Sequence, residues 1–161
     1  MGSINTSIEI NAPPAVVREK FLDFPSIPTY TPNGFVASIT PVNTSITPHD
    51  LKPGDKLLCA MGYGKFKFTS TVVNNTPEEF SWCGSLPGIF TGTHFFKFEE
   101  IASTTGGGVN TRLVHGERFS GLLAGVYGEG WLGRVAGLRK GGEEGFAGFN
   151  GDFKRWVEGD Q

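Results

Sequence analysis

The sequence predicts an α+β domain: one strand and two short helical turns, then a long antiparallel meander, then an amphipathic helix. Three observations carry that expectation. About seven stretches alternate apolar and polar residues with the period of two that a half-buried strand requires. The later stretches, from Lys56 to Phe119, are separated by Gly, Asn or Pro punctuation, which is the pattern of a meander. The last 20 or so residues change period, placing Phe146, Phe149, Phe153 and Trp156 or Val157 at helical spacing with charged residues between them. At 161 residues the chain suits a single domain, 1–161, with a real core.

Ser3 to Ile10 alternates cleanly and reads as the first strand. Asn11-Ala12-Pro13-Pro14 then offers an N-cap and helix-entry prolines for a short helix through Phe21. Phe24 to Gly34 holds too many prolines for a long helix and too many apolar groups for a linker, so short helical turns or a core-packed loop are expected. Phe35 to Thr40 is the next strand, and Pro41 to Pro53 is a polar excursion ending in the turn Lys52-Pro53-Gly54-Asp55. Strands follow over Lys56 to Tyr63, Lys65 to Val73, Glu79 to Ser85, Thr91 to Ile101 and Thr111 to Phe119. Ala102 to Asn110, with three consecutive glycines, makes a loose hairpin loop. Gly121 to Gly133 mixes glycines with Leu122, Leu123, Val126, Tyr127 and Trp131 and resembles a lid. In the closing helix Gly141, Gly142, Gly145, Gly148 and Gly151 each cost up to ~1 kcal/mol relative to Ala, so the helix must be held by docking its aromatic face.

A net charge of −2 and a pI near 5.9 give no basic footprint for nucleic acid. The first residues lack a charged region followed by an apolar run, and no stretch is long enough for stable membrane insertion, so a cytoplasmic protein is expected. Cys59 and Cys83 make neither a disulfide framework nor a zinc site, and both read as packing residues, with Cys59 grouped by parity with Leu57, Met61 and Tyr63.

Two of the strands carry ionisable groups on their apolar faces. His94 shares a face with Phe96 and Phe98, and Leu113, His115, Glu117 and Phe119 share another. A buried imidazole or carboxylate is costly unless it is paired or faces a cavity, so the pattern points to a pocket. If the loop between the two strands is centred near residue 106, facing residue numbers sum to about 211, which sets His94 opposite Glu117 and Phe96 opposite His115. Opposed Cβ atoms lie about 4.5 to 5.5 Å apart, making His94 and Glu117 a candidate acid/base dyad with His115 diagonal at about 7 to 8 Å. A structural pair satisfying itself in the core is the other reading of the same pattern.

No metal is expected, because His94, His115 and Glu117 suffice in number but lack a short-spacing motif, and His49 lies in a loop without apolar context. No cofactor is expected either. Gly128-Glu129-Gly130-Trp131-Leu132-Gly133 formally matches GxGxxG, but a dinucleotide site needs a parallel strand before it and an acid at the end of a second strand, whereas Asp152 falls within the helical pattern. Phe66, Phe68, Trp82, Phe96, Phe98 and Phe119 from the strands, Phe146 and Phe149 from the helix, and Leu122, Tyr127 and Trp131 from the lid-like segment are the candidate substrate-binding residues. Most would be core in any arrangement, yet their number suits a hydrophobic, partly unsaturated ligand.

The order of elements, with Leu57, the run Trp82 to Phe96, the run Thr111 to Gly121, and Gly145-Phe146 through Asn150 and Lys154, resembles the SRPBCC superfamily. That superfamily includes START lipid-transfer domains, birch-pollen-allergen-like plant proteins and polyketide cyclases, and the resemblance covers nearly the whole chain. It implies the helix-grip fold: a curved antiparallel sheet of about seven strands wrapped around a long C-terminal helix, with two short helices after the first strand and a hydrophobic cavity between sheet and helix. One fold hosts many functions. The leading expectation is a cofactor-independent cyclase acting on a polyketide or terpenoid intermediate, cycloaddition included. Its rival is a non-catalytic carrier of a lipid or secondary metabolite, and a co-chaperone-like module is less favoured by the inward polar groups. The expected partner is a hydrophobic small molecule, with a homodimer compatible.

Overall fold

The computed structural model describes residues 2–86, 90–120 and 132–159. Strand β1 (Gly2–Ile10) leads into α1 (Pro14–Leu22), a 3₁₀ turn at Phe24–Ser26 and the one-turn α2 (Ile27–Tyr30). Strands β2 (Val36–Pro41), β3 (Lys56–Met61), β4 (Phe66–Asn75), β5 (Glu79–Leu86), β6 (Phe90–Ala102) and β7 (Val109–Ser120) follow, and α3 (Leu132–Gly159) closes the chain. The strands form one curved seven-stranded sheet in the order β1-β7-β6-β5-β4-β3-β2, with every neighbouring pair antiparallel. From β2 onward each strand pairs with the next. The two short helices carry the chain from β1 on one edge to β2 on the other.

Helix α3 lies against the inward face of the sheet. Phe146, Phe149, Phe153 and Val157 are buried along it, while Trp156 is half-buried and stacks on Tyr30 with ring centroids 4.5 Å apart. Full burial of such side chains contributes about 1.5 to 3 kcal/mol each, enough to offset glycines that cost up to ~1 kcal/mol apiece. At Gly145 the missing side chain is a requirement of packing. A Cβ there would sit 2.2 Å from the Phe35 ring, which crosses the helix at this point.

The opposite end of the space between sheet and helix is plugged by α1. Phe21 is fully buried, its ring centroid 4.4 Å from Phe96, 5.7 Å from Phe80 and Phe98, and 6.2 Å from Phe153. The space between sheet and helix is therefore solid at the α1 end, and any room in it lies toward the other end of β5 to β7.

Several local expectations are corrected. Pro13, not Asn11, occupies the N-cap position of α1, without a side-chain cap. Asn11 instead ties the corner after β1, its backbone N–H donating to Glu158 at 2.8 Å and its side-chain oxygen accepting from Asn110 at 3.2 Å. Tyr63 leaves the β3 pattern because Gly62, Tyr63 and Gly64 form a turn with φ of 60°, 61° and 79°, which leaves the phenol ring exposed rather than beside Cys59. Cys59 itself is buried and bonded to Ser70, and burial raises its thiol pKa to about 11. Helix α3 begins earlier than the aromatic spacing suggested, at Leu132. Of the lid-like segment Gly121 to Gly133, all but the last two residues lie outside the described residues.

Candidate functional site

The inward residues of β5, β6, β7 and β1 fall into rows. Trp82, His94, Glu117 and Ile4 form one row, and Phe80, Phe96, His115 and Thr6 form the next toward α1. On the other side the row is Gly84, Gly92, Phe119 and Gly2. His94 thus stands opposite Glu117, and Phe96 opposite His115.

Side-chain reach changes which pair is tight. The closest partner of His94 is the diagonal His115, with the two Nε2 atoms 2.7 Å apart, whereas His94 Nδ1 lies 4.0 Å from Glu117 Oε2. On its far side His115 Nδ1 is 2.9 Å from Asn150 Oδ1, and Asn150 donates from Nδ2 to Thr6 Oγ1 at 3.0 Å. A polar chain therefore runs Thr6, Asn150, His115, His94, Glu117 among the rings of Trp82, Phe96, Phe146 and Phe149. His115 is sandwiched between Phe96 and Phe146, with centroids at 4.1 and 4.3 Å, and His94 stacks on Trp82 at 4.6 Å.

Burial grades along this chain. His115 is fully buried and His94 is 3% exposed, while the Glu117 side chain retains 26% exposure. Desolvation, seconded by the neighbouring His94, holds His115 well below the ordinary imidazole value of 6.5, against the hydrogen bonds it donates to Asn150 and to the Phe146 backbone carbonyl, which favour its charged form. His115 is neutral at physiological pH and both of its ring nitrogens are engaged. Glu117 is the member that reaches out of the core, and its carboxylate lies over Gly92: a Cβ at Gly92 would be 2.3 Å from Glu117 Oε1.

Gly84 has a matching role. A Cβ there would meet the Phe68 ring at 3.1 Å, so Phe68 and Glu117 lie flat over the two glycines and no side chain rises from β5 or β6 in this row. Beside the His94–Glu117 pair the strands carry no side chain of their own at these two positions, and nearer α1 the inner face is filled by packed aromatic rings. The candidate aromatic residues divide accordingly. Phe96, Phe98 and Phe149 are packed with Phe21 and Phe153 at the closed end. Phe68, Phe119, Trp82 and Phe146 border the His94–Glu117 row, Phe68 and Phe119 being half-buried. Phe66 has inward parity but is 65% exposed at the start of β4, and Leu122, Tyr127 and Trp131 lie outside the described residues.

Two hollows among the described residues, of about 460 and 590 Å³, open on the outside, one beside Pro14 and the β5–β6 strands and the other between α1 and Trp156. Neither touches the His94–Glu117 pair. Among the described residues no group of three or more His, Cys, Asp or Glu side chains is placed to hold a metal ion, and no helix is long and apolar enough to cross a membrane. His49, in the exposed 3₁₀ turn Pro48–Asp50, pairs with Glu19 at 2.7 Å, far from this row.

No protein-family model and no curated protein matches this chain. Solved structures do. A protein of Thermus thermophilus superposes with a TM-score of 0.63 at 14% identity over 99% of both chains. The Zhui aromatase/cyclase of Streptomyces sp. R1128 gives a TM-score of 0.64 at 12% identity over 98% of this chain and 93% of that one. The di-domain ARO/CYC StfQ of the steffimycin biosynthetic pathway gives 0.61 at 14% identity, with this chain covering 51% of it. The fold shared with these structures is the helix-grip fold. Within that helix-grip frame, the polar chain is built from both partners of the grip: Thr6, His94, His115 and Glu117 from the sheet and Asn150 from the helix.

Asn150, Thr6 and Gly92 were not among the residues singled out from the sequence for chemistry. Asn150 had a signal available, being a polar residue on the buried stripe of Phe146, Phe149 and Phe153. Gly92 had only its inward parity, which says nothing of what leans over it.

Proposed function

We propose that the protein is a cofactor-independent cyclase that holds a hydrophobic biosynthetic intermediate above the Gly84–Gly92 row, where the His94–Glu117 pair moves a proton for it. The observation that carries this reading is the buried imidazole chain ending in a partly exposed carboxylate laid over a glycine. Buried ionisable groups that served only to satisfy one another would have no need to lead outward. The same fold in aromatase/cyclases of polyketide pathways supports the reaction class.

Chemically, the apolar walls fix a flexible chain in a reactive conformer, and a proton at the Glu117–His94 gap is given to a carbonyl oxygen as a carbon–carbon bond forms. The proton is replaced from the enol or carbon acid of the same molecule, so the pair ends as it began. Glu117 and His94 are the candidate catalytic residues. His115, with both nitrogens engaged in the core, positions His94.

The test is native mass spectrometry of protein isolated from its own host, followed by turnover of the co-purifying molecule. Glu117→Gln and His94→Ala should each lower turnover by about 10² or more, with affinity changed less. Loss of affinity without any conversion by the wild type would identify a carrier instead.

A further inference from the structure

The orientation of the imidazole chain follows from its partner on α3. Ring protons are assigned from partners rather than seen, and here the partners decide. His115 Nδ1 lies 2.9 Å from Asn150 Oδ1, and an amide oxygen can only accept. Nε2 of His115 is taken by His94, so the proton serving the helix is on Nδ1, where Asn150 Oδ1 is its acceptor. With Oδ1 turned to His115, the Asn150 amide nitrogen donates to Thr6 Oγ1 at 3.0 Å. A neutral His115 with Nδ1–H presents a lone pair at Nε2. His94 must then donate from its own Nε2, which leaves His94 Nδ1 as a lone pair aimed at the Glu117 carboxylate.

Two acceptors that face each other need a donor between them. With the opposite orientation, His94 would already carry a proton on Nδ1 for Glu117, and no further proton would be needed in the gap. The orientation deduced from these partners therefore leaves His94 Nδ1 as an acceptor facing the Glu117 carboxylate 4.0 Å away, so that a proton brought between them can be shared by the two.

We propose that Asn150 is a positioning residue for the reaction: by accepting the Nδ1 proton of His115 it sets both imidazole tautomers and makes the His94–Glu117 pair a proton donor toward a carbonyl oxygen of a neutral, polyketide-like ligand. The role in catalysis rests on the proposed cyclase function, whereas the tautomers can be read on the ligand-free protein.

The experiment is a long-range ¹H–¹⁵N correlation spectrum of the full chain labelled with ¹⁵N-histidine, at neutral pH, with His94→Gln and His115→Gln used for assignment. The expected spectrum shows His115 neutral with its proton on Nδ1, and His94 with a proton on Nε2. In Asn150→Leu, which fills the same volume without an acceptor, the single His115 tautomer should give way to a mixture or to the Nε2–H form. Asn150→Asp, which keeps an acceptor in place, should restore the Nδ1–H form. His115 found as the Nε2–H tautomer in the wild type overturns the proposal, and so does an Asn150→Leu spectrum with the Nδ1–H form undiminished. Should Asn150→Leu not fold, the wild type and Asn150→Asp still decide, because an Nε2–H form in either overturns it. A wild type that shows the expected tautomers but never converts its ligand leaves the orientation standing and removes the cyclase reading. A wild type that converts its ligand with His115 in the Nε2–H form does the reverse.

Discussion

Gly92→Ala is the smallest change that separates the chemistry of the pair from the stability of the fold. The added methyl carbon would sit 2.3 Å from Glu117 Oε1 and 3.2 Å from its carboxyl carbon, where ordinary contact begins at 3.4 Å. The carboxylate must withdraw by roughly 1 Å, and nothing else need move, since the obstructing atom is the free end of a partly exposed side chain. The strand itself gains, because Ala is favoured over Gly inside a strand by roughly 0.5 to 1 kcal/mol. Net stability should therefore stay within about 1 kcal/mol of the wild type by urea denaturation. Turnover should not: displacing a reacting group by about 1 Å can cost about 10²-fold. Combining Gly92→Ala with Glu117→Gln should be little worse than either alone, because both remove the same carboxylate from the same place. A Gly92→Ala protein that folds normally and turns over its ligand at the wild-type rate would refute the assignment of Glu117.

Replacing His115 by Phe keeps the ring stack between Phe96 and Phe146 but strands His94 Nε2–H and Asn150 Oδ1, each worth about 1 to 3 kcal/mol when buried without a partner, so unfolding midpoints should fall by several kcal/mol of equivalent stability. Stability should also depend on pH through His115. Its imidazole is held below 6.5 in the folded state, so as pH falls through 6.5 the unfolded chain takes up a proton that the folded one refuses. Stability contributed by this group is complete above pH 6.5 and declines below it by up to about 1.4 kcal/mol per pH unit, a slope that denaturation of His115→Gln at matched pH values should lack. Gly145→Ala should be markedly destabilising in thermal unfolding, unlike Gly148→Ala, because its Cβ would enter the Phe35 ring at 2.2 Å while the position at Gly148 is open.

The fold was legible because its signals are local and repeated. Period-two alternation located β1 and β3 to β7 within a few residues, and the ring spacing on α3 identified its buried face. The His94–Glu117 register was legible for the same reason, since the β6–β7 hairpin runs without a bulge and residue parity fixes who faces whom. The closest contact was not. That His94 reaches diagonally to His115, and that His115 is oriented by Asn150, depends on the packing of α3 across the sheet, which no strand pattern encodes. The N-cap of α1 was misread for a related reason: Asn11 is drawn into long-range bonds with Glu158 and Asn110, which outcompete the local cap. Phe96, Phe98 and Phe149 could not be divided from Phe68 and Trp82 by sequence, because both groups have inward parity and only the placement of Phe21 shows which end is closed.

The most direct measurement is a comparison of the small molecules carried by wild-type and Glu117→Gln protein, each purified from the native host and opened in the mass spectrometer. A cyclase working through Glu117 should release a product from the wild type and its uncyclised precursor from the variant, and adding that precursor to the wild type should convert it. Identical small molecules from both proteins, with no conversion on mixing, would contradict catalysis at the His94–Glu117 pair.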